Sequence, residues 1–244
     1  MPRFFVGENQ IADNKITIVG QDVKHIKNVL RMAVGQNVDI CDDKGREYAC
    51  EIENIAKEEI TVKILSCNEQ GNEPGIPVTI LQGVPKGEKM ELIIQKNVEL
   101  GITKIVPVIM ERCVVKFQNQ QDKEKKAARW NKIAMEAAKQ CGRSIIPKVL
   151  VPENLSKVIA ELPQDALLIT ASENEKTVSL KEILQKEKAR EIYFIIGPEG
   201  GIAASEEECL KNAGFNSVSL GPRILRTETA GFALLSAIRY EYGD

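Results

Sequence analysis

Several residue types and patterns are scarce in this chain. Histidine occurs once, at position 25, and tryptophan once, at position 130. A lone imidazole has no histidine partner for a metal site, so a structural place for His25 is the simpler reading and no metal is expected. The six cysteines, at positions 41, 50, 67, 113, 141 and 209, never fall at C-x-x-C spacing. That pattern predicts reduced thiols rather than a disulfide framework or a zinc site. No apolar run approaches the roughly 20 residues needed to span a bilayer. The opening stretch MPRFFVGENQ lacks the apolar core of a signal peptide. A cytoplasmic protein without a membrane partner is expected. Neither G-x-x-x-x-G-K-[ST] nor G-x-G-x-x-G occurs, which excludes the P-loop and the Rossmann dinucleotide fingerprint. Charge of one sign is missing too: 33 basic and 35 acidic residues leave a net charge of −2 and a pI near 5.8. Any nucleic-acid contact must then come from local patches.

What is present suits a globular chain of one or two domains: 244 residues, 43% hydrophobic and 28% charged. Residues 1 to about 70 read as mostly β. Period-two alternation runs through Val38–Ile40, Glu47–Ile52 and Ile60–Leu65, with Asp42–Gly45 as a hairpin turn. One helix, Gln21–Met32, interrupts them with an apolar stripe of Val23, Ile26, Val29 and Leu30. Short strands around one helix predict a small β-barrel. A polar connector with Gly and Pro, residues 68–77, follows, and it predicts a boundary between domains at 1–72 and 73–244.

Beyond it the period changes. Strands are expected at Val78–Val84, Lys104–Met110, Ala166–Ala171, Ile192–Ile196 and Ser217–Leu220. Helices are expected at Glu88–Leu100, closed by Gly101, at Lys123–Cys141, at Glu153–Leu162 and at Leu180–Lys188. Alternating strands and helices predict an α/β domain with a mostly parallel sheet covered on both faces. Lys123–Cys141 carries a core stripe of Trp130, Ile133, Ala134, Ala137, Ala138 and Cys141. Residues 123–148 hold eight basic and two acidic side chains, among them Arg129, Lys132 and Arg143. Two readings stand for that face, a solvated helix surface or a phosphate contact.

The most specific features lie in the last fifty residues. The strand Ile192–Ile196 runs into GPEGG, Gly197 to Gly201, whose glycines allow positive φ and close approach to a ligand. The strand Ser217–Leu220 runs into GPRILR, Gly221 to Arg226. Thr227 is then placed as N-cap of a helix with Ala230, Ala233, Leu234, Ala237 and Ile238 on its apolar side. Each loop alone reads as an ordinary strand-to-helix turn. Two such loops at the carboxyl ends of neighbouring strands are where open α/β sheets bind ligands.

The run Gly197–Gly201, followed by LGPRILRTETA at Leu220 to Ala230, resembles the RsmE family of SPOUT-class methyltransferases. Further likeness lies in Gln95-Lys96 with Glu99-Leu100-Gly101, in Arg129-Trp130, in EAAKQCGR at Glu136 to Arg143, and in His25 to Arg31. The resemblance runs nearly end to end and is weakest over residues 44–75. It implies S-adenosylmethionine-dependent methylation of uracil N3 in 16S ribosomal RNA of the small subunit. It further implies a carboxyl-terminal trefoil-knotted, mostly parallel sheet with a small amino-terminal PUA-like β-barrel that binds RNA, and a homodimer. The apolar Phe232 and Leu235, outside the main stripe of the last helix, point to burial on a second side. Two other readings stand beside it: of the same fold, a SPOUT enzyme acting on another RNA, such as a transfer-RNA ribose; of another class, a non-catalytic RNA-binding ribosome assembly factor.

The resemblance also assigns residues. Gly197, Gly200, Leu220, Gly221 and Arg226 would hold the cofactor, with Ile224 and Leu225 covering the adenine. Thr229, Ala230 and Thr170 are its further neighbours, a structural strand-end role for Thr170 standing beside this. Uridine N3 must lose a proton to become a nucleophile, so a proton acceptor and a charge-stabilising cation are needed. Arg226 is the candidate cation, and Glu199 and Glu228 are the candidate carboxylates. Glu228, in the first helical turn, serves equally as a structural cap. For RNA, Arg3, Lys24 and Arg31 in the barrel join Arg129, Lys132 and Arg143. Residues 1–72 hold nine basic and twelve acidic side chains, so that patch rests on position rather than on excess charge.

Overall fold

A computed structural model describes residues 1–69, 71–186 and 189–243. The chain forms two compact units. One comprises Met1–Glu73 with Ala138–Ile146, the other Pro74–Ala137 with Pro147–Asp244.

The first unit is a curled six-stranded sheet. Its strands are β1 (Arg3–Val6), β2 (Ile11–Ala12), β3 (Lys15–Val19), β4 (Asn37–Asp42), β5 (Glu47–Ile55) and β6 (Glu59–Asn68), ordered β1-β4-β5-β6-β3-β2. All pairings are antiparallel except β1 with β4. The alternation read in the sequence sets which face is buried: Val38, Ile40, Tyr48, Cys50, Ile52, Ile60 and Val62 join Phe4, Ile16 and Ile18 in one core. The turn after β4 is held by the buried Asp42 carboxylate, which accepts the amides of Lys44 and Arg46, both at 2.9 Å.

The expected helix Gln21–Met32 is shorter than its pattern suggests. Helix α1 covers Gln21–Lys24 and passes into a wide turn, His25–Val29, in which the Leu30 amide bonds five residues back to His25 O at 2.9 Å. The extra residue in the turn rotates the stripe. Val23 and Ile26 stay buried, while Val29 is 67% exposed and Leu30 38%. Arg31, at φ +51, ends the turn.

Residues 138–146 join this unit through charge. Arg143 is buried and its guanidinium pairs with Glu73, whose carboxylate also accepts the amides of Ser144 and Ile145 at 2.8 Å. Glu47 takes the Ser144 hydroxyl at 2.7 Å and Arg3 at 2.6 Å.

The second unit is a parallel sheet with helices. Its elements are β7 (Val78–Gly83), α2 (Lys89–Glu99), β8 (Lys104–Ile109), α3 (Gln120–Cys141, of which the last turn belongs to the first unit), β9 (Lys148–Val149), β10 (Glu153–Asn154), α4 (Leu155–Ala160), β11 (Leu167–Ala171), α5 (Leu180–Lys186), β12 (Ile192–Ile196), α6 (Ala204–Asn212), β13 (Asn216–Val218) and α7 (Thr227–Tyr242). The order is β10-β8-β7-β12-β11-β13, with β9 also on β8, and every ladder is parallel. Strands β7 and β12 are buried at every residue, as strands covered on both faces should be; β12 is a continuous apolar run, while β7 also buries Thr79 and Gln82.

Two expected elements differ. The start of the helix expected at Glu153–Leu162 is strand, because Glu153 and Asn154 pair with Val108 and Ile109 at the sheet edge. The strand expected at Ser217–Leu220 is Asn216–Val218. The final residues of the helix expected at Leu180–Lys188, Glu187 and Lys188, lie outside the described residues, as does Gln70 of the connector. Gly101 closes α2 at φ +87 as the sequence suggested. Among the described residues, no helix is long and apolar enough to cross a membrane.

Candidate active site

Parallel strands deliver their carboxyl ends to one edge of the sheet, and there β11, β12 and β13 open a cavity of about 440 Å³. The two glycine loops form its walls: Gly197, Glu199, Gly200 and Gly201 on one side, Leu220, Gly221, Ile224, Leu225 and Arg226 on the other, with Ala230 of α7 at the base. Ala171 and Ser172 at the end of β11 complete it. A space of that size suits a nucleoside-sized ligand.

The loop glycines act for different reasons. Gly201 lies at φ +73, where other residues are strained. Gly200 is there for proximity: a Cβ on it would stand 3.0 Å from Arg112 Cβ, while Arg112 Nη1 donates to Gly200 O at 2.9 Å. Gly83, at the end of β7, likewise leaves room for Pro198, which an added Cβ would meet at 2.7 Å.

Thr227 does not cap α7. Arg226 occupies the cap position, and Thr227 is the first helical residue, buried at 7% exposure. Its hydroxyl donates to Gly197 O at 2.7 Å and accepts from Gln82 Nε2 at 2.9 Å. One side chain thus ties both loops to the central strand β7. A chain entering a helix at its first turn brings Thr227 inward, and the carbonyl of Gly197 competes successfully for its proton.

Of the other residues expected at the site, Thr170 is buried and does not line the cavity. Its hydroxyl has no hydrogen-bond partner among the described residues. Thr229 is exposed, and Ile224, at 83% exposure, leaves the cavity mouth uncovered. Glu228 lies behind the wall rather than on it, with its side chain 13% exposed. Glu199 is on the wall and pairs with Lys89 at 2.9 Å. Four carboxylates (Glu173, Glu175, Glu199, Glu207) face three cations (Lys89, Arg223, Arg226) around the cavity. Glu175 is held down to about 2 by the Thr177 hydroxyl and the amides of Thr177 and Val178, so it is ionised at neutral pH.

The cations expected to meet RNA divide into two groups. Lys24, Arg31 and Lys132 are exposed. Arg129 is exposed and pairs with Glu91 at 2.5 Å. Arg3 is largely buried on Glu47, and Arg143 is buried on Glu73. The fixed geometry of these last two guanidiniums makes them parts of the first unit's framework.

The family described as an RNA methyltransferase domain matches residues 72–239, and the RNA methyltransferase PUA domain matches residues 18–65. Ribosomal RNA small subunit methyltransferase E of Bacillus subtilis (strain 168) is 34% identical, over 99% of this chain and 97% of its own. The chain belongs to the RsmE family. A second relative of that name, from Buchnera aphidicola subsp. Schizaphis graminum, is 32% identical over 99% of this chain and 95% of its own. The crystal structure of the RsmE protein of Neisseria gonorrhoeae, bound to S-adenosyl methionine, matches with a TM-score of 0.89. Its identity is 34%, and the match covers 98% of this chain and 97% of that one.

Set against the RsmE motifs, sequence reading missed Lys89, Gln82, Gly83 and Arg112. Gln82 had a visible signal, a long polar side chain inside the mostly apolar strand VTILQG. Lys89 had one too, a cation in the first turn of a helix, where the dipole disfavours it. Arg112 had none, because its partner, Gly200 O, is a backbone atom 88 residues away.

Replacing Thr227 by Val keeps its shape and removes both hydrogen bonds. The variant is expected to lose about 1–3 kcal/mol of unfolding free energy, because Gly197 O is left without its buried donor. Thr227→Ser should retain most of it, and urea titration of both variants is the check.

Proposed function

We propose that this chain transfers a methyl group from S-adenosylmethionine to N3 of a uridine in 16S ribosomal RNA of the small subunit. The observation that carries this is the cavity built from both RsmE loops and pinned at Thr227. The near full-length likeness to proteins named for that activity supports it.

The wall suits the cofactor in three respects. Its four carboxylates favour a ligand carrying a sulfonium and an ammonium, Gly200 lets backbone approach closely, and Ala171 and Ser172 bring the end of β11 to the cavity, with the unsatisfied Thr170 hydroxyl buried behind them. Gly197, Gly200, Leu220, Gly221, Leu225, Arg226 and Ala230 would hold it, with Ile224 able to cover it and Thr229 at the outer turn. When bound, the cofactor supplies an electrophilic methyl group whose bond to sulfur breaks with the electron pair returning to sulfur.

The chain's own residues then have two tasks. A carboxylate takes the N3 proton: Glu199, which lines the cavity, directly or through water, or Glu228, behind the wall, through water. Arg226, exposed at the cavity mouth, stabilises the negative charge that spreads onto the uracil carbonyls. Holding base and methyl donor in one geometry provides the remaining acceleration.

The same reading extends to the architecture. Residues 1–72 form a PUA-like RNA-binding barrel and residues 73–244 the methyltransferase domain, whose carboxyl-terminal stretch is threaded as a trefoil knot. The PUA match over residues 18–65 and the RNA methyltransferase match over residues 72–239 support the two domains, and the likeness to RsmE proteins supports the knot. RNA is held by Lys24 and Arg31 in the barrel and by Arg129 and Lys132 on α3. The active form is a cytoplasmic homodimer. Leu235 is buried within the chain, so half-buried Phe232 and Tyr240, 86% exposed, are what α7 offers a partner.

Methyl transfer from labelled cofactor to small-subunit particles, with mass mapping of the product, tests the reaction. A single uridine modified on its base is expected. Label on a ribose, or on transfer RNA alone, would favour the other SPOUT reading, and no label would favour an assembly factor.

Arg226→Ala separates its two possible roles. A transition-state role lowers the single-turnover rate at saturating RNA by roughly a hundred- to a thousand-fold with little change in affinity. This is the expected result. Loss of RNA affinity with an intact saturated rate would make Arg226 a phosphate anchor instead.

A further inference from the structure

One side chain at the cavity joins three separate elements. Lys89 opens α2 and lines the cavity. A cation gains nothing from that helix, whose positive dipole end and unpaired first-turn amides lie there. What it gains lies across the cavity wall. Its ammonium stands 2.9 Å from Glu199 Oε1 on the glycine loop and 3.8 Å from Glu228 Oε2 in the first turn of α7. Glu199 is approached from a second side by the Lys86 amide at 3.3 Å. Glu228 Oε2 is buried and accepts no hydrogen bond among the described residues, so the Lys89 ammonium is the counter-charge within reach. The three side chains are 30%, 24% and 13% exposed, sheltered enough for the pairing to be felt.

We propose that Lys89 is a positioning residue of the methyl-transfer site. It fixes the glycine loop through Glu199 and the first turn of α7 through Glu228, and it balances the charge of one carboxylate on the cavity wall and one behind it. The inference rests on the functional reading above and adds to it a residue that the motif loops do not contain.

The charge state has a direction. Burial pushes the Glu199 carboxyl up, but the hydrogen bond from Lys89, helped by the Lys86 amide, leaves it net below its ordinary range. Without Lys89, Glu199 loses its paired cation and must protonate at higher pH. The stabilisation that the pair contributes is present above the ordinary carboxylate range and is lost as pH falls through the lowered value. The other charged groups around the cavity are Glu173, Glu175, Glu207, Arg223 and Arg226, while Arg112 reaches Gly200 O. All of them stay in place in a Lys89 variant, so a shift reports Lys89.

The test compares wild type with Lys89→Met and Lys89→Arg in two measurements. The first follows the Glu199 carboxyl resonance against pH by carbon NMR, without cofactor. The second is the single-turnover rate against pH at saturating cofactor and RNA. In Lys89→Met the Glu199 midpoint is expected to rise by about one pH unit, as loss of a close opposite charge requires. The acid limb of the rate profile should move the same way, and the saturated rate should fall by about tenfold or more. Lys89→Arg should restore most of the rate. A Lys89→Met protein with both profiles unmoved overturns the proposal. So does an equal loss of rate in both variants without a shift, which would make Lys89 a packing residue. If Lys89→Met does not fold, Lys89→Gln takes its place in both measurements, and unmoved profiles in that variant overturn the proposal. A wild-type protein that transfers no methyl group fails the functional reading instead, and the NMR measurement still decides the clamp.

Discussion

The cavity depends on the hydroxyl of Thr227. Its bond to Gly197 O at 2.7 Å joins the loop after β12 to the start of α7, and Gln82 joins both to β7. These groups come from positions 82, 197 and 227 and meet in a region where Gln82 is wholly buried and Thr227 nearly so. A buried hydroxyl that donates and accepts at once leaves its neighbours one arrangement, because any shift of either loop strands a polar group away from water. The glycine loop keeps its place because its carbonyl is held from beneath and Pro198 is seated against Gly83.

Around that joint, the loop is held by charge. Arg112 donates to Gly200 O, and Lys89 with the Lys86 amide holds Glu199. The result is a wall whose backbone faces the cavity and whose anchors lie behind or beside it, which is how a site can be preorganised without being blocked. The same logic separates structural cations from available ones. Arg3 and Arg143 serve the carboxylates of Glu47 and Glu73, whereas Lys24, Lys132 and Arg226 present their heads to solvent. Net charge hides this division, and it is why a chain of net charge −2 can still offer local surfaces to a polyanion.

Much of the architecture was legible in the sequence because it follows from local rules. The apolar run Ile192–Ile196 and the alternation in Glu47–Ile52 each fix which faces are buried, and Gly101 announces the end of α2. The loops were legible by composition but not by cause, since Gly201 answers to φ whereas Gly200 answers to the nearness of Arg112. Failures arose where a distant partner overrode a local rule. Thr227 has the chemistry of a cap but gives its hydroxyl to Gly197, thirty residues back. Val29 and Leu30 keep a helical spacing, yet a single wide turn rotates them outward. Arg143 follows the one-signed face of α3 in sequence, but Glu73 draws it inward. Pairings of that kind, 30 to 145 residues apart, leave no periodic trace.

The central claim is that the two pinned loops form the cofactor site, and calorimetric titration of S-adenosylmethionine into wild type and Gly200→Val tests it most directly. A valine at position 200 must push its branched carbon against Arg112, whose Cβ stands 3.0 Å from the place a Cβ would take, so the loop has to move. Wild type is expected to bind the cofactor at one site per chain, and a folded Gly200→Val to bind it at least about tenfold more weakly. Equal affinity in the two proteins would contradict the account and place the cofactor elsewhere.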